Sequence, residues 1–148
     1  MKKTIITSTL LIFIGILLGI KIYGAKDSML KVFNDEEIYY FLQEGVYTSK
    51  EVMQENTKNF SAKAITYENN KYYVYVGITK EEEIAKKIKS IYEQQGYQIY
   101  IKEKTIMNEE FKNNIAQFDL LINSTNITEE ILTIEEVVLA NYEEITSK

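Results

Sequence analysis

Residues 72–101 read YYVYVGITKEEEIAKKIKSIYEQQGYQIYI. Aromatic residues alternate with valines up to Gly77, the two-residue period of a strand. Thr79 and Glu82 then form a capping-box spacing, the start signal of a helix. Ile84, Ala85, Ile88, Ile91 and Tyr92 follow at i, i+1, i+4, i+7 and i+8, a single apolar stripe. Gly96 stops the helix, and 97–102 return to alternation as a second strand. The stretch is a strand, a helix and a strand.

A fainter copy lies upstream, at 38–68, IYYFLQEGVYTSKEVMQENTKNFSAKAITYE. Ile38, Tyr40 and Leu42 alternate with Tyr39, Phe41 and Gln43, and Gly45 ends the strand. Thr48 and Glu51 repeat the capping box, opening a helix to about Asn59 with Val52, Met53 and Phe60 inward. A strand at 62–68 follows. Asn69-Asn70 then suits a two-residue hairpin, because Asn tolerates positive φ. Gly45 and Gly77 hold equivalent places, with Val52 and Ile84 seven residues beyond each.

The order is therefore β-α-β, hairpin, β-α-β. This is an α+β fold, a split βαβ (ferredoxin-like) four-stranded antiparallel sheet with two helices on one face. Those helices are expected to cover Leu42, Val74, Val76, Ile99 and Ile101. The pleat then sends Tyr39, Phe41, Gln43, Tyr73, Tyr75 and Tyr100 to the opposite face, expected to be uncovered.

The composition changes after this unit. From Lys104 onward three lysines face nine acids, a net charge of −6. Phe111, Ile115, Phe118 and Ile122 mark one helix. After an NSTN loop, capped by Asn126 and Glu129, a second helix carries Ile127, Ile131, Ile134, Val138, Tyr142 and Ile145. Two acidic amphipathic helices must bury their stripes on each other, on the domain or on a partner; packing within the chain is the favoured reading.

At the other end, MKKTIITSTLLIFIGILLGIKIYGAK is basic and then apolar from Ile5 to Ile20. Carried to Tyr23 the span reaches about 20 residues, the thickness of a bilayer core. Lys21 can snorkel and Tyr23 suits the interface. An uncleaved anchor is favoured over a cleaved signal peptide, since Tyr23 stands where a cleavage site wants a small residue. Lys2 and Lys3 favour a cytoplasmic N-terminus, with the remainder extracytoplasmic. The organisation expected is an anchor at 1–24, a linker at 25–35, the sheet domain at 36–104 and a helical extension at 105–148.

The chain has 148 residues and a net charge of −5; four lysines and no acid in the first 26 leave −9 for the rest. Such acidity argues against nucleic acid, whose binding is driven by phosphate neutralisation. With no His, Cys, Trp, Arg or Pro, there is no thiolate nucleophile, disulfide or Cys/His metal site. Glu81, Glu82 and Glu83 complement a helix dipole. The pairs Glu109-Glu110, Glu129-Glu130 and Glu135-Glu136 read the same way. No cofactor, metal site or catalytic residue is expected; only a deep pocket holding carboxylates with shifted pKa values would revive an enzyme.

FLQEGVYTSKEVMQE together with 72–101 resembles the SPOR (sporulation-related repeat) family of peptidoglycan-binding domains, over roughly 36–103. The first segment is similar to the family's strand ending in Gln-x-Gly before a helix. The second is similar to its second half, an aromatic strand with Val-Gly, a helix opening on acids, and Gly-aromatic into the last strand. The resemblance implies binding to wall glycan strands stripped of peptide stems, at division septa or during sporulation. It implies the sheet face as the site, with Gln43 matching the strand-one glutamine and Tyr73 and Tyr75 on the matching strand-three face. The chain departs from the pattern at Glu44, usually apolar, and at Tyr75, which takes the place equivalent to Gln43. It also lacks the strand-three Arg and the Pro after the second glycine.

Two functions compete. One is a single-pass membrane protein, without enzymatic activity, that binds glycan strands through Tyr39, Phe41, Gln43, Tyr73, Tyr75 and Tyr100. The other is a membrane-anchored protein–protein adaptor acting through its C-terminal helices, with the sheet tyrosines covered by those helices or by a partner.

Overall fold

The computed structural model describes residues 37–146; the expected anchor and linker lie outside them. Among the described residues no helix is long and apolar enough to cross a membrane. The elements are β1 (Ile38–Tyr47), α1 (Lys50–Asn56), β2 (Ala64–Glu68), β3 (Lys71–Thr79), α2 (Glu82–Gln94), β4 (Tyr100–Thr105), α3 (Glu109–Asn123) and α4 (Thr128–Thr146). The fold is α+β, with one four-stranded antiparallel sheet in the order β2-β3-β1-β4.

Local chemistry accounts for most of the boundaries. Asn69 and Asn70 both take positive φ, 52° and 60°, closing the β2–β3 hairpin as a primed turn. Gly96 ends α2 at φ 90°, a conformation that would strain a side chain. Ser49, not Thr48, caps α1 by accepting from Val52 N. Met53 and Phe60 then point inward, but Val52 is turned outward and exposed.

Thr79 does not cap α2. It is the last residue of β3, its hydroxyl donates to Asp119 Oδ1 at 2.6 Å and accepts from Glu81 N, and the helix begins at Glu82. β4 starts at Tyr100 rather than Tyr97, because Tyr97 instead packs its ring on Phe60 at 4.5 Å, with Tyr92 beside both.

The β1–β3 register slips twice. Leu42 pairs with Gly77 and Gln43 with Tyr75, and then Gly45 pairs with Val74. Val76 and Glu44 are thus single extra residues, and such bulges bend and coil a sheet. They also change which side chains share a face. Leu42 and Gly77 lie together under α2: a Cβ on Gly77 would come 3.1 Å from Leu42 Cδ1 and 3.4 Å from Ile88 Cγ2. Phe41 pairs with Ile78 and Gln43 with Tyr75 on the opposite face.

That opposite face carries the C-terminal helices. Phe111, Ile115, Phe118 and Ile122 of α3 are buried, as are Ile131, Ile134, Val138, Leu139 and Tyr142 of α4. Tyr142 meets Phe41 edge-on at 5.3 Å and lies 5.5 Å from Phe111. At about 1.5–3 kcal/mol for each large apolar side chain, this burial amounts to roughly 15 kcal/mol or more before entropy. The helices are part of the core, in one compact unit with the sheet.

They also finish its edge. β2 pairs with β3 only as far as Ala64 and Tyr75, leaving the end of β3 without a strand beside it. Glu135 Oε2 accepts from Ile78 N at 3.0 Å and Asp119 Oδ2 from Lys80 N at 2.9 Å. Glu143 Oε1 accepts from Ile65 N at 3.2 Å on β2. Three carboxyl groups occupy donors that would otherwise invite a foreign strand.

Candidate functional site

All six candidate residues point to the face opposite α2. Register places Gln43 between Tyr75 and Tyr100, and Tyr73 beside Val46. The face is not open, contrary to the expectation from sequence. Tyr39, Phe41 and Tyr75 are at most 1% exposed, sealed beneath the C-terminal helices. The stripes of α3 and α4 need an apolar partner, and the sheet's second face is the one the other helices leave vacant. Tyr39 donates its hydroxyl to Glu37 Oε2 at 2.8 Å, and burial followed by that carboxylate pushes its pKa up. These three residues are core. The accessible remainder is Gln43 and Tyr73, half-buried, and Tyr100, 46% exposed.

A lysine sits over the sealed rings. Lys104 Nζ lies 4.8 Å from the centroid of Tyr75, 5.4 Å from Phe41 and 5.8 Å from Tyr73. All three distances fall inside the range of cation–π attraction, about 6 Å. Its ion-pair partner is Glu68 Oε1 at 4.0 Å, from the far end of β2. Register alone would set Lys104 beside Tyr39 and Glu68 beside Lys71, at opposite ends of the sheet. The bulges and the twist coil the sheet so that these diagonal corners approach over the aromatic face.

Beside Lys104 opens a cleft of about 610 Å³, lined by Ile38, Glu68, Glu103, Lys104, Thr105 and Tyr142. It is a shallow depression, largely open to solvent. Two buried hydroxyls on this face, Tyr75 OH and Thr66 Oγ1, have no hydrogen-bond partner among the described residues.

The chain also holds two buried carboxyl groups with raised pKa values, a feature that marks some active sites. Burial lifts Glu135 to about 8, against the hydrogen bond from Ile78 and helped by the nearby Asp119. Burial lifts Asp119 to about 6, against the bonds from Thr79 and Lys80. Neither lines the cleft, and both are bonded to the end of β3. Among the described residues no group of three acids could hold a metal ion.

Lys104, Glu68 and Tyr142 escaped sequence reasoning because a long-range sheet coil assembles them. Glu135 had a legible signal. It lies at i+4 from Ile131 and i−3 from Val138, inside an apolar stripe rather than on the solvated side. Searched against known families, curated proteins and solved structures, the chain matches none of them.

Proposed function

We propose that the chain is a non-enzymatic, membrane-anchored module that binds peptidoglycan glycan strands, stripped of their stems, in division or sporulation. The reading takes 1–24 as the anchor and the sheet domain as extracytoplasmic. It treats the domain as SPOR-like, since the strand order β2-β3-β1-β4 is that of a split βαβ sheet. The observation that carries it is the accessible strip of Gln43, Tyr73 and Tyr100 on one sheet face. Flat rings stack on sugar faces, while the amide and phenol groups bond hydroxyls. Compared with the six-residue face, the accessible strip is narrower: Tyr39, Phe41 and Tyr75 are covered, the last two with Lys104 over their rings.

The test is co-sedimentation of the full chain, in detergent, with wall sacculi before and after amidase digestion. Binding should rise after digestion and fall at least tenfold in a folded Tyr73→Ala/Tyr100→Ala variant. Unchanged binding by that variant would remove the strip from the reading.

The burial of Tyr39, Phe41 and Tyr75 favours a second reading, the protein–protein adaptor. Its surface would be the outer side of α3 and α4, where Leu120 is 68% exposed and Ile127 54%. Loss of a bound partner on Leu120→Glu, with sacculus binding absent throughout, would select it.

A further inference from the structure

We propose that Phe41, Tyr73, Tyr75 and Glu68 form an ammonium-binding cage, occupied in this structure by the chain's own Lys104, that takes the free amino group of a de-N-acetylated sugar in the glycan. The inference rests on the glycan reading and assigns the chemical class of sugar that the site selects. Three rings of one sheet face beneath an ammonium, with a carboxylate beside it, suit cation recognition, because each ring face carries negative charge density. Lys104 Nζ stands within 6 Å of all three ring centroids and 4.0 Å from Glu68 Oε1.

Lys104 is a replaceable occupant. Its side chain is 32% exposed, and the carboxylate of its ion pair is 55% exposed, so water screens the contact. It lines the cleft directly and lies over the rings, which themselves do not line the cleft, so an entering amine meets them only where the lysine stem swings out. The charges around the cleft favour a cation over an anion. Among the described residues, Glu68 and Glu103 line it with one ammonium, that of Lys104, and these charges sum to a negative wall. An anion drawn to Lys104 would meet both carboxylates.

One further feature suits a sugar better than a lysine side chain. The cleft, about 610 Å³, has room beyond one ammonium, and Glu68, Glu103 and Thr105 supply groups for ring hydroxyls. An N-acetylated sugar presents a neutral amide to the cage and gains nothing from the rings as a cation.

The experiment measures binding of the full chain, in detergent, to glucosamine oligomers and to their N-acetylated counterparts. It is run at about pH 6, where such amines are protonated. The free-amine oligomer should bind about tenfold more tightly than the acetylated one. Lys104→Met vacates the cage while keeping an apolar stem, and should tighten free-amine binding further without changing acetylated binding. Lys102→Met makes the same change of charge on an exposed neighbour and should change neither. Should Lys104→Met fold poorly, Glu68→Gln serves, with an expected loss of free-amine binding.

Equal binding of the two oligomers would overturn the cage while leaving the glycan reading standing. Equal tightening by the two methionine variants would reduce the effect to net charge and overturn it as well. A lysine-rich peptide binding as well as the free-amine oligomer would overturn the sugar assignment. No binding of either oligomer, together with no sacculus binding, would end both readings.

Discussion

Replacing Glu135 by glutamine should flatten the loss of stability with rising pH that this buried acid gives the protein. Glu135 is fully buried, with one oxygen accepting from Ile78 N and the other lacking a partner. Its pKa rises from 4.5 in the unfolded chain to about 8 in the fold. Below pH 4.5 both states are protonated, and the group's contribution to stability is fully present. Between 4.5 and about 8 only the folded state holds the proton, so stability falls as pH rises, by about 1.4 kcal/mol per pH unit. Across the window the loss reaches roughly 4 kcal/mol. Asp119, raised from 3.8 to about 6, acts in the same direction at lower pH. Glutamine keeps the acceptor for Ile78 N and carries no charge at any pH. It places an amide donor where the unpartnered oxygen was, a cost of about 1–2 kcal/mol that does not vary with pH. Urea denaturation at pH 5, 6.5 and 8 separates the two effects. The native chain should lose stability across the series, while Glu135→Gln should be less stable at pH 5, much flatter in slope and the more stable of the two at pH 8. A native chain that gains stability toward pH 8, or a variant with the native slope, would refute the assignment of Glu135 as a neutral buried acid.

Other substitutions probe the packing. Gly77→Ala places a methyl 3.1 Å from Leu42 Cδ1 and 3.3 Å from Glu135 Oε2, and should cost about 1–3 kcal/mol in urea denaturation. Tyr142→Ala removes a ring held between Phe41 and Phe111 and should cost about 3–5 kcal/mol, with increased binding of an apolar dye to the uncovered face. Gly96→Ala has room for its methyl but not the backbone angle, φ 90°, so it should lower the thermal midpoint by a few degrees, about 1 kcal/mol. Truncation before Met107 strips the cover from Phe41, Tyr75 and the edge of β3; the shortened chain should aggregate rather than persist as a folded sheet domain, as size-exclusion chromatography would read.

The order of the elements was written in local sequence. Alternation marked β1 and β3, the apolar stripe of Ile84, Ala85, Ile88 and Tyr92 marked α2, and Asn69-Asn70 and Gly96 marked turns that only a few residue types adopt comfortably. The same alternation placed Tyr39, Phe41, Gln43, Tyr73, Tyr75 and Tyr100 on one face. Whether that face meets water depended on contacts across long separations, and no local period reports those. Phe41 is core because Tyr142, a hundred residues later, lies against it. Glu135, read from sequence with Glu136 as complementing a helix dipole, and Asp119 are buried because the end of β3 has no neighbouring strand and its N–H groups must find acceptors. Lys104 reaches three rings because two bulges coil the sheet, an effect of strand geometry accumulated over the whole sheet. Periodicity is a property of one element and is carried in the chain itself. Burial and electrostatic environment belong to pairs of elements, and only the packed structure decides them.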